Sequence, residues 1–506
     1  MRLEQAKELD TAGWHSFAAS LKYETRNLID GRFVAAQDGL HFPAINPVNN
    51  EQLAEMPRSQ ALDVDRAVVS ARRAFRSGVW SRIAPRQRME VMFRFTELVA
   101  QHAGELCVLD ILNGGKPVQD MVNIDLPGSI LTLQFFAECI DKINGTVAPT
   151  ASSDLHYIVR EPLGVVGCIV PWNYPLMMAT WKVAPALATG NSVVLKPAEQ
   201  TPFSANLLAR LFLEAGGPAG VFNVVHGLGE EAGKALALHR DVDKVSFTGS
   251  TEVGKRLMEY AGRSNMKRIS TECGGKTPQI ILGDVPDLGK AVDAAIYGIY
   301  GNQGEVCSAG SRLLVERRIH DEFVQLFLAR AETRYRPGDP FAPDTQLGPL
   351  VTRAHQSRVL QFIDTGKREG ATIALGGTAP AGLQNGCYVE PTLFTGVNSK
   401  MVIAQEEIFG PVAAVIPVSD FDEAIEVAND SIYGLAASVW TRDLRKAHKA
   451  AQALESGVIW INCFDRADMT QPWGGYKQSG QGRDKCFDAA IAHTQTKSVW
   501  IQLDDA

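Results

Sequence analysis

Short apolar runs alternate with amphipathic segments through the middle of the chain. Between residues 164 and 249, the runs GVVGCIV, NSVVLK, VFNVVH and DKVSFTG predict strands with centres roughly 20–30 residues apart, as in βαβ units. The segments between them, such as 204–215 and 231–239, have the apolar spacing of helices. This pattern predicts an α/β fold with a mostly parallel sheet covered by helices on both faces.

The same alternation starts again after residue 278. Strands are predicted for the runs PQIILG, RLLVE, AAVIPV, GLAASVW and GVIWIN, and helices for 288–300, 319–335, 421–429 and 442–456. Upstream of both series, 64–78 and 87–113 have the pattern of long amphipathic helices. A second α/β domain is therefore expected.

Two segments fit neither series. Residues 145–159 have the pattern of a β-hairpin, and 497–503 form a late, isolated strand. Strands without a sheet of their own can pair with each other or with another subunit.

The composition narrows the class of protein. Of 506 residues, 45% are hydrophobic, and 50 Lys and Arg against 57 Asp and Glu leave a net charge of −7. These values exclude wholesale disorder and argue against nucleic acid or a membrane surface as a partner. The uncharged stretch 162–181 contains Pro171, Asn173 and Pro175, which would interrupt a membrane-spanning helix.

The cysteines and histidines predict neither disulfides nor metal. The eight cysteines include no CxxC pair, and the ten histidines form no HxH or HExxH group, so we expect no metal site. The N-terminus is charged where a signal peptide would be apolar. We therefore expect a cytoplasmic protein.

Three residues are candidates for chemistry. Cys307 lies in the glycine-flanked loop NQGEVCSAGSR, where a thiol near a helix start could have a lowered pKa and act as a nucleophile. Glu272, just before a glycine pair, could act as a general base. Asn173 of PWNYP could donate to an oxyanion. Each also has a plain structural interpretation: a buried thiol, a solvated carboxylate and a turn-forming Asn.

Phosphate-binding signals follow three predicted strands. FTGSTEVGK runs from a strand into a helix and places Ser250 at the helix start, and GLGEEAG precedes another helix. LKPAEQTP supplies Lys196 and Glu199, which could contact ribose hydroxyls. No GxGxxG fingerprint is present, but the three signals together indicate a dinucleotide site.

The motifs as a set resemble the aldehyde dehydrogenase superfamily. Between about residues 26 and 503, its motifs occur in order as PWNYP, LKPAEQTP, FTGSTEVGK, ECGGK, NQGEVCSAGSR, EEIFGPV and PWGGYKQSGQGR. DLPGS, SNMKR and DMTQPWGGYKQSGQGRDK are most similar to bacterial γ-glutamyl-γ-aminobutyraldehyde dehydrogenases.

The resemblance implies a reaction and its residues. Cys307 would attack the aldehyde to give a thiohemiacetal, with the oxyanion held by Asn173, and hydride transfer to NAD would leave a thioester. Glu272 would activate the water that hydrolyses it, with Lys182 and Asp484 in positioning and proton relay. The implied cofactor contacts are Lys196, Glu199, Gly229, Ser250, Val253, Glu407 and Phe409.

The resemblance also implies a domain division and an oligomer. The expected NAD-binding domain comprises 1–144 and 163–275, the catalytic domain 276–480, and a β-hairpin oligomerisation element 145–162 and 487–506. A homodimer or homotetramer is expected. Glu199 favours NAD because a carboxylate repels a 2′-phosphate, although Lys196 could still accept NADP.

Two classes of aldehyde stay possible as the substrate. The family's tunnel positions correspond to Asp125, Tyr174, Met178, Trp181, Val306, Ser308, Asp465 and Trp473. Asp125 and Asp465 could attract an amine near the mouth, which favours an ω-amino or γ-glutamylamino aldehyde. Alternatively, the acids are solvated and the aromatic side chains take an aromatic or aliphatic aldehyde.

Two other classes of protein stay open at this point. A cofactor-independent thiol esterase could use Cys307, although none of the seven motifs contains a histidine to serve as its base. A non-catalytic structural protein could keep the fold without the chemistry.

Overall fold

A computed structural model describes residues 1–503 and builds them around two large β-sheets. The first sheet has eight strands, and its five central strands are parallel. Four of these five strands are buried along their whole length, as expected for a sheet covered on both faces, and the fifth, Arg268–Glu272, is buried over its last three residues. In spatial order the strands are Arg32–Val34, Asn27–Ile29, Phe222–Val224, Ser192–Lys196, Val165–Ile169, Lys244–Thr248, Arg268–Glu272 and Gly480–Gln481.

Helices cover this sheet on both sides. The longer ones are Ala61–Ser77, Pro85–Gln101, Ala103–Gly114, Leu126–Cys139, Pro175–Ala188, Phe203–Glu214 and Thr251–Arg263. Shorter segments are Leu3–Ala6, Thr11–Ser20, Val118–Asp120, Met121–Asp125, Ile140–Lys142, Gly229–Gly233, Lys234–Leu238 and Cys486–Ile491.

The prediction of one helix over 87–113 was wrong. His102 leaves the helical conformation, with φ −101° and ψ 21°, and divides the segment into two helices. The N-terminal residue packs against the start of the second helix, where the Gly104 N–H donates to the Met1 carbonyl at 2.9 Å. A Cβ at Gly104 would lie 2.6 Å from the Met1 side chain, so this contact requires glycine.

The second sheet has seven strands and is parallel except at one edge. Its strands, in spatial order, are Thr372–Leu375, Thr392–Thr395, Val412–Val418, Arg312–Glu316, Pro278–Ile281, Ala436–Trp440 and Val458–Ile461. The associated helical segments are Leu288–Tyr300, Gly301–Gly304, Arg317–Ile319, His320–Arg334, Arg353–Arg368, Val402–Gln405, Phe421–Asn429 and Leu444–Ala453. No helix or strand is predicted from the sequence between residues 336 and 411, where the structure has one long helix, one short helix and two strands.

The predicted hairpin and late strand pair with each other within the chain. Thr146–Ala148 and Asp154–Pro162 form the hairpin, and Thr494–Gln502 runs antiparallel to its second strand. Two short antiparallel pairs complete the strands: His41–Ile45 with Gln52–Pro57, and Tyr433–Gly434 with Tyr476–Lys477. Residues 504–506 of the predicted oligomerisation element lie outside the described residues. The domain division and the oligomer stay predictions.

Three observations bear on the surroundings of the protein. Among residues 1–503, no helix combines the length and apolar composition that crossing a membrane requires. The same residues contain no group of three or more side chains suited to hold a metal ion. All eight cysteines are free thiols. The cytoplasmic location stays a prediction.

Candidate active site

The carboxyl ends of the parallel strands in the first sheet carry several of the predicted site residues. Lys196, Thr248 and Glu272 are the last residues of their strands, and Asn173 follows the strand Val165–Ile169 by four positions. Open α/β sheets bind ligands at this edge, because the loops that leave the strands there form a crevice.

A cavity of about 770 Å³ lies at this edge. It is large enough for a small substrate together with part of a cofactor. The predicted site residues that line it are Asn173, Tyr174, Met178, Trp181, Ser250, Glu272, Val306, Cys307, Ser308, Glu407, Phe409, Asp465 and Trp473.

Cys307 lies in a loop between the short helix Gly301–Gly304 and the strand Arg312–Glu316. Asn302 and Gln303, in the short helical segment before this loop, have φ of 46° and 57°, a backbone conformation that non-glycine residues rarely adopt. The expectation of a lowered thiol pKa was wrong. Burial, together with the nearby carboxylates of Glu407 and Glu272, raises the pKa of Cys307 to about 12.

The Asn173 side chain is held against this loop. Its Nδ2 donates to the carbonyl oxygen of Glu305 at 2.8 Å, and Asn302 Nδ2 donates to the same oxygen at 3.1 Å. An amide nitrogen has two hydrogens, so Asn173 keeps a second donor after orientation by Glu305. This arrangement can present a fixed N–H to an oxygen atom in the cavity.

Glu272 is buried without hydrogen bonds. Its side chain lines the cavity, the residue is 3% exposed, and neither carboxylate oxygen has a partner among residues 1–503. Burial raises the pKa of Glu272 well above its usual value, and the Asp484 carboxylate adds to this effect. Such a group is a stronger base than an exposed carboxylate.

Lys182 lies behind Glu272 and outside the cavity lining. Its ammonium is fully buried and makes an ion pair with Asp484. This charge lowers the proton affinity of Glu272, in opposition to burial. Lys182 can therefore act on the site through Asp484 and Glu272 without touching a ligand in the cavity.

The helix Thr251–Arg263 begins at the cavity. The Ser250 hydroxyl caps it by accepting a hydrogen bond from the Val253 N–H at 3.3 Å. Next to it, the buried Thr248 hydroxyl lines the cavity and has no partner among the described residues. A helix N-terminus and an unpartnered hydroxyl together fit the pyrophosphate of a dinucleotide.

The other predicted cofactor contacts, Lys196, Glu199, Gly229 and Val253, do not line the cavity. Lys196 Nζ and Glu199 Oε2 form an ion pair at 2.8 Å, which holds the Glu199 carboxylate near the end of the strand Ser192–Lys196. Val253 is partly exposed on the first turn of its helix. Gly229 opens the segment Gly229–Gly233, and no atom lies within 4 Å of where its Cβ would stand. This space leaves room for a ligand close to the backbone.

Glu407 and Phe409 form the opposite wall. The Gly275 N–H donates to Glu407 Oε1 at 3.1 Å, and burial raises the pKa of this carboxyl to about 7. A Cβ at Gly274 would lie 2.0 Å from the Glu407 carboxylate, so the close approach requires glycine. Phe409 has φ 61° and is held by a hydrogen bond of 2.6 Å from His355 Nε2 to its carbonyl oxygen.

The expectation that Asp125 attracts an amine at the mouth was wrong. Asp125 is fully buried, does not line the large cavity, and accepts a hydrogen bond from Lys116 Nζ at 2.6 Å. The same ammonium lies 3.4 Å from the centroid of the Tyr174 ring. Burial raises the pKa of Asp125 to about 7, and Lys116 opposes the rise. The charge of Asp125 is therefore neutralised within the protein.

Asp465 does line the cavity. Burial raises its pKa to about 6, while the nearby Lys485 and a hydrogen bond from the Tyr297 hydroxyl lower it. Beside it, the rings of Trp181 and Trp473 meet edge to face, with centroids 6.0 Å apart. The substrate side of the cavity therefore combines apolar aromatic walls with charged groups.

Known proteins show which family this arrangement belongs to. The family model described as the aldehyde dehydrogenase family matches residues 33–499. The chain belongs to the aldehyde dehydrogenase family. It is therefore an enzyme that oxidises aldehydes with a nicotinamide dinucleotide. Family membership therefore excludes the two other classes considered from the sequence, a cofactor-independent thiol esterase and a non-catalytic structural protein.

Similar proteins differ in their named substrates. The NADP/NAD-dependent aldehyde dehydrogenase PuuC of Escherichia coli is 45% identical over 493 residues, which are 97% of this chain and 99% of that protein. Among solved structures, an indole-3-acetaldehyde dehydrogenase of P. syringae in complex with NAD+ and IAA has 51% identity and a TM-score of 0.96. A γ-glutamyl-γ-aminobutyraldehyde dehydrogenase of Burkholderia cenocepacia has 48% identity and the same TM-score. Both structures match 98% of this chain and 100% of their own.

Sequence reasoning missed several residues of this dehydrogenase that line the cavity. His355 and Arg358 come from the helix Arg353–Arg368, which was not predicted at all, so their positions had no context. Trp172 contacts the rings of His355 and Phe409. Lys485 follows Asp484 in the motif GQGRDK; its place in that motif was the available signal.

Proposed function

We propose that the protein oxidises an ω-amino or γ-glutamylamino aldehyde to its carboxylic acid with NAD. The observation that carries the chemistry is one cavity lined by the Cys307 thiol, the Asn173 amide and the unpartnered Glu272 carboxylate. The Asp465 carboxylate on the same cavity supports a substrate with an amine.

The residues divide the reaction between them. The Cys307 sulfur forms a bond to the aldehyde carbon, its proton passes to the carbonyl oxygen, and the free Asn173 N–H donates a hydrogen bond to that oxygen. NAD, when bound, would supply the hydride acceptor, and the thiohemiacetal would lose its hydroxyl proton as the thioester forms. Glu272 then takes a proton from water as the water oxygen attacks the thioester carbon. The carbon–sulfur bond breaks, and the acid leaves with the thiol regenerated.

The pKa values of the two reacting groups bear on these steps. Burial and the nearby carboxylates raise the pKa of Cys307 and favour its protonated thiol at neutral pH, so the proton must leave sulfur as the bond to carbon forms. The raised pKa of Glu272 suits a group that must accept a proton and then release it.

NAD is the proposed cofactor in preference to NADP. The Glu199 carboxylate beside the strand end would repel a 2′-phosphate, and Lys196, which could attract one, is already paired with Glu199. The similar P. syringae enzyme was solved with NAD+, while E. coli PuuC is named for both cofactors. NADP is therefore retained as a weaker alternative.

An aromatic or aliphatic aldehyde is the second candidate. Trp181, Trp473, Tyr174 and Met178 form an apolar wall that fits a ring, and the similar P. syringae protein is named for indole-3-acetaldehyde. Under this alternative, Asp465 has no substrate partner.

A panel of aldehydes separates the two candidates. We expect kcat/KM with NAD to be highest for γ-glutamylaminobutyraldehyde and aminobutyraldehyde, and lower for hexanal and benzaldehyde. Asp465→Asn should lower kcat/KM for the amino compounds about 10-fold, which corresponds to one charge-assisted contact. The control Asp321→Asn changes an exposed carboxylate and should have no effect. A preference for hexanal or benzaldehyde that Asp465→Asn leaves unchanged would favour the second candidate.

A homodimer or homotetramer is also proposed. The sheet formed by the hairpin and the last strand exposes Val147 and Trp500, which are 71% and 61% accessible. Exposed apolar side chains on a sheet support its contact with another subunit. Light scattering of the purified enzyme would measure the subunit number.

A further inference from the structure

Lys485 is a buried cation on the substrate side of the cavity. The residue is 5% exposed, and its ammonium lies 5.4 Å from the centroid of the Trp181 ring and 5.9 Å from that of Trp473. Its backbone is fixed beside Trp473, because Trp473 and Asp484 exchange two backbone hydrogen bonds of 2.9 and 2.7 Å. Lys485 is thus held in one place by the rings it contacts and by the adjacent backbone.

The charge of Lys485 is not neutralised by a direct partner. Among residues 1–503, its ammonium has neither a hydrogen-bond acceptor nor an ion pair, unlike Lys116 and Lys182. The two nearest acids are engaged elsewhere. Asp465 accepts from the Tyr297 hydroxyl, and Asp468 accepts from the N–H and the hydroxyl of Thr470 at 2.8 and 2.6 Å.

The surroundings of the Lys485 ammonium favour an anionic partner. Burial lowers the pKa of Lys485, and the fields of Asp465 and Asp468 oppose that effect without contact. An ammonium that is largely withdrawn from water and has no acceptor gains from a carboxylate that completes an ion pair. Lys485 lines the cavity next to the exposed Ala467 and Asp468, so a ligand in the cavity can reach it.

We propose that Lys485 binds a carboxylate on the substrate and selects aldehydes that carry one at the end remote from the reacting carbon. This inference rests on the proposed function and narrows it, because a γ-glutamylamino aldehyde has such a carboxylate and a simple ω-amino aldehyde does not. The ammonium group next to that carboxylate would face Asp465 and Asp468.

A matched substrate pair tests the role of Lys485. γ-Glutamylaminobutyraldehyde is compared with its α-carboxamide, which has the same shape and no carboxylate. In the wild-type enzyme, we expect kcat/KM to be at least about 10-fold higher for the carboxylate, mainly through KM. Lys485→Met should bring the ratio close to one, and Lys485→Arg should retain most of the preference.

Two further measurements keep the test decisive. Lys449→Met replaces an exposed lysine and should leave the ratio unchanged. If Lys485→Met does not fold, inhibition of hexanal oxidation in the wild-type enzyme replaces it: glutarate should inhibit about 10-fold more strongly than glutaramide. Equal kcat/KM for the two aldehydes, or equal inhibition by the two diacid derivatives, would overturn the role of Lys485. The preference for amino compounds over hexanal tests the proposed function separately.

Discussion

Burial disfavours charge at both ends of the cavity, but the two ends hold different groups. At the catalytic end, formed by Cys307, Glu272 and Asn173, burial raises the pKa of the thiol and of the carboxyl and so favours their uncharged forms. At the tryptophan end, formed by Trp181, Trp473 and Lys485, an ammonium is held against two rings. In the reaction that we propose, the groups at the first end change their charge during turnover, whereas the ammonium at the second end serves recognition.

The difference predicts which kinetic constant each end controls. Changes at the catalytic end should lower kcat with every aldehyde, because the same atoms react in each case. Changes at the tryptophan end should alter KM and depend on the substrate. Charged pairs behind the cavity should affect stability and leave the ranking of substrates alone.

The largest effect is expected for Cys307→Ala. Without a nucleophile, NADH formation should fall by at least about 10⁴-fold with all aldehydes, and NAD binding should persist. Steady-state absorbance and a separate NAD titration measure the two properties. Cys463→Ala removes another partly buried thiol that does not line the cavity, and it should keep full activity. Residual turnover above about 1% in Cys307→Ala would remove this thiol from the reaction.

Glu272→Gln should separate the two half-reactions. Thioester formation does not need this base, so one equivalent of NADH should appear rapidly, followed by steady turnover reduced about 100-fold or more. In the wild-type enzyme, kcat should rise with pH as Glu272 deprotonates. The rise should extend above the usual range of a glutamate, because burial raises its pKa.

Stopped-flow absorbance at several pH values measures both properties of Glu272→Gln. The variant should lose the dependence on pH that this carboxyl causes. If the rapid phase disappears together with steady turnover, Glu272 acts before the thioester forms.

The smallest kinetic effect is expected for Lys116→Met, which should lower the free energy of unfolding. The variant leaves the Asp125 carboxyl buried without its partner, and the enzyme should lose about 3 kcal/mol of stability. Differential scanning calorimetry should show a lower Tm, and Lys116→Met combined with Asp125→Leu should recover part of it. The kcat/KM ratio of carboxylate to carboxamide should stay at its wild-type value. A changed ratio would place Lys116 with Lys485 in recognition.

Much of the fold could be predicted because βαβ units are local. A buried strand such as Ser192–Lys196 is a short, mostly apolar run with β-branched residues at its centre, and the helix after it is amphipathic. The segment 336–411 failed because its strands Thr372–Leu375 and Thr392–Thr395 have only four residues each, and the first lies at the edge of the sheet. There, half-exposed positions weaken the apolar pattern.

The site was predictable in its motifs and less so in its charges. Cys307, Glu272 and Asn173 stand in recognisable loops, so their place at one cavity could be anticipated. Whether a charged residue meets a ligand depends on partners that the sequence does not reveal. Asp125 is neutralised by an ion pair with Lys116, nine residues earlier. Lys485, in contrast, makes no ion pair with Asp465 or Asp468.

The short strand Gly480–Gln481 joins the end of the chain to the strand that carries Glu272. Just before it, the Ser479 carbonyl accepts from the Cys273 N–H at 2.9 Å, and the Ser479 hydroxyl donates to the Gly274 carbonyl at 2.7 Å. These contacts span more than 200 residues of sequence. During synthesis, the first α/β unit is finished long before Ser479 leaves the ribosome. The surroundings of Glu272 are therefore completed only after Ser479 has been synthesised, more than 200 residues after the strand that carries this carboxyl.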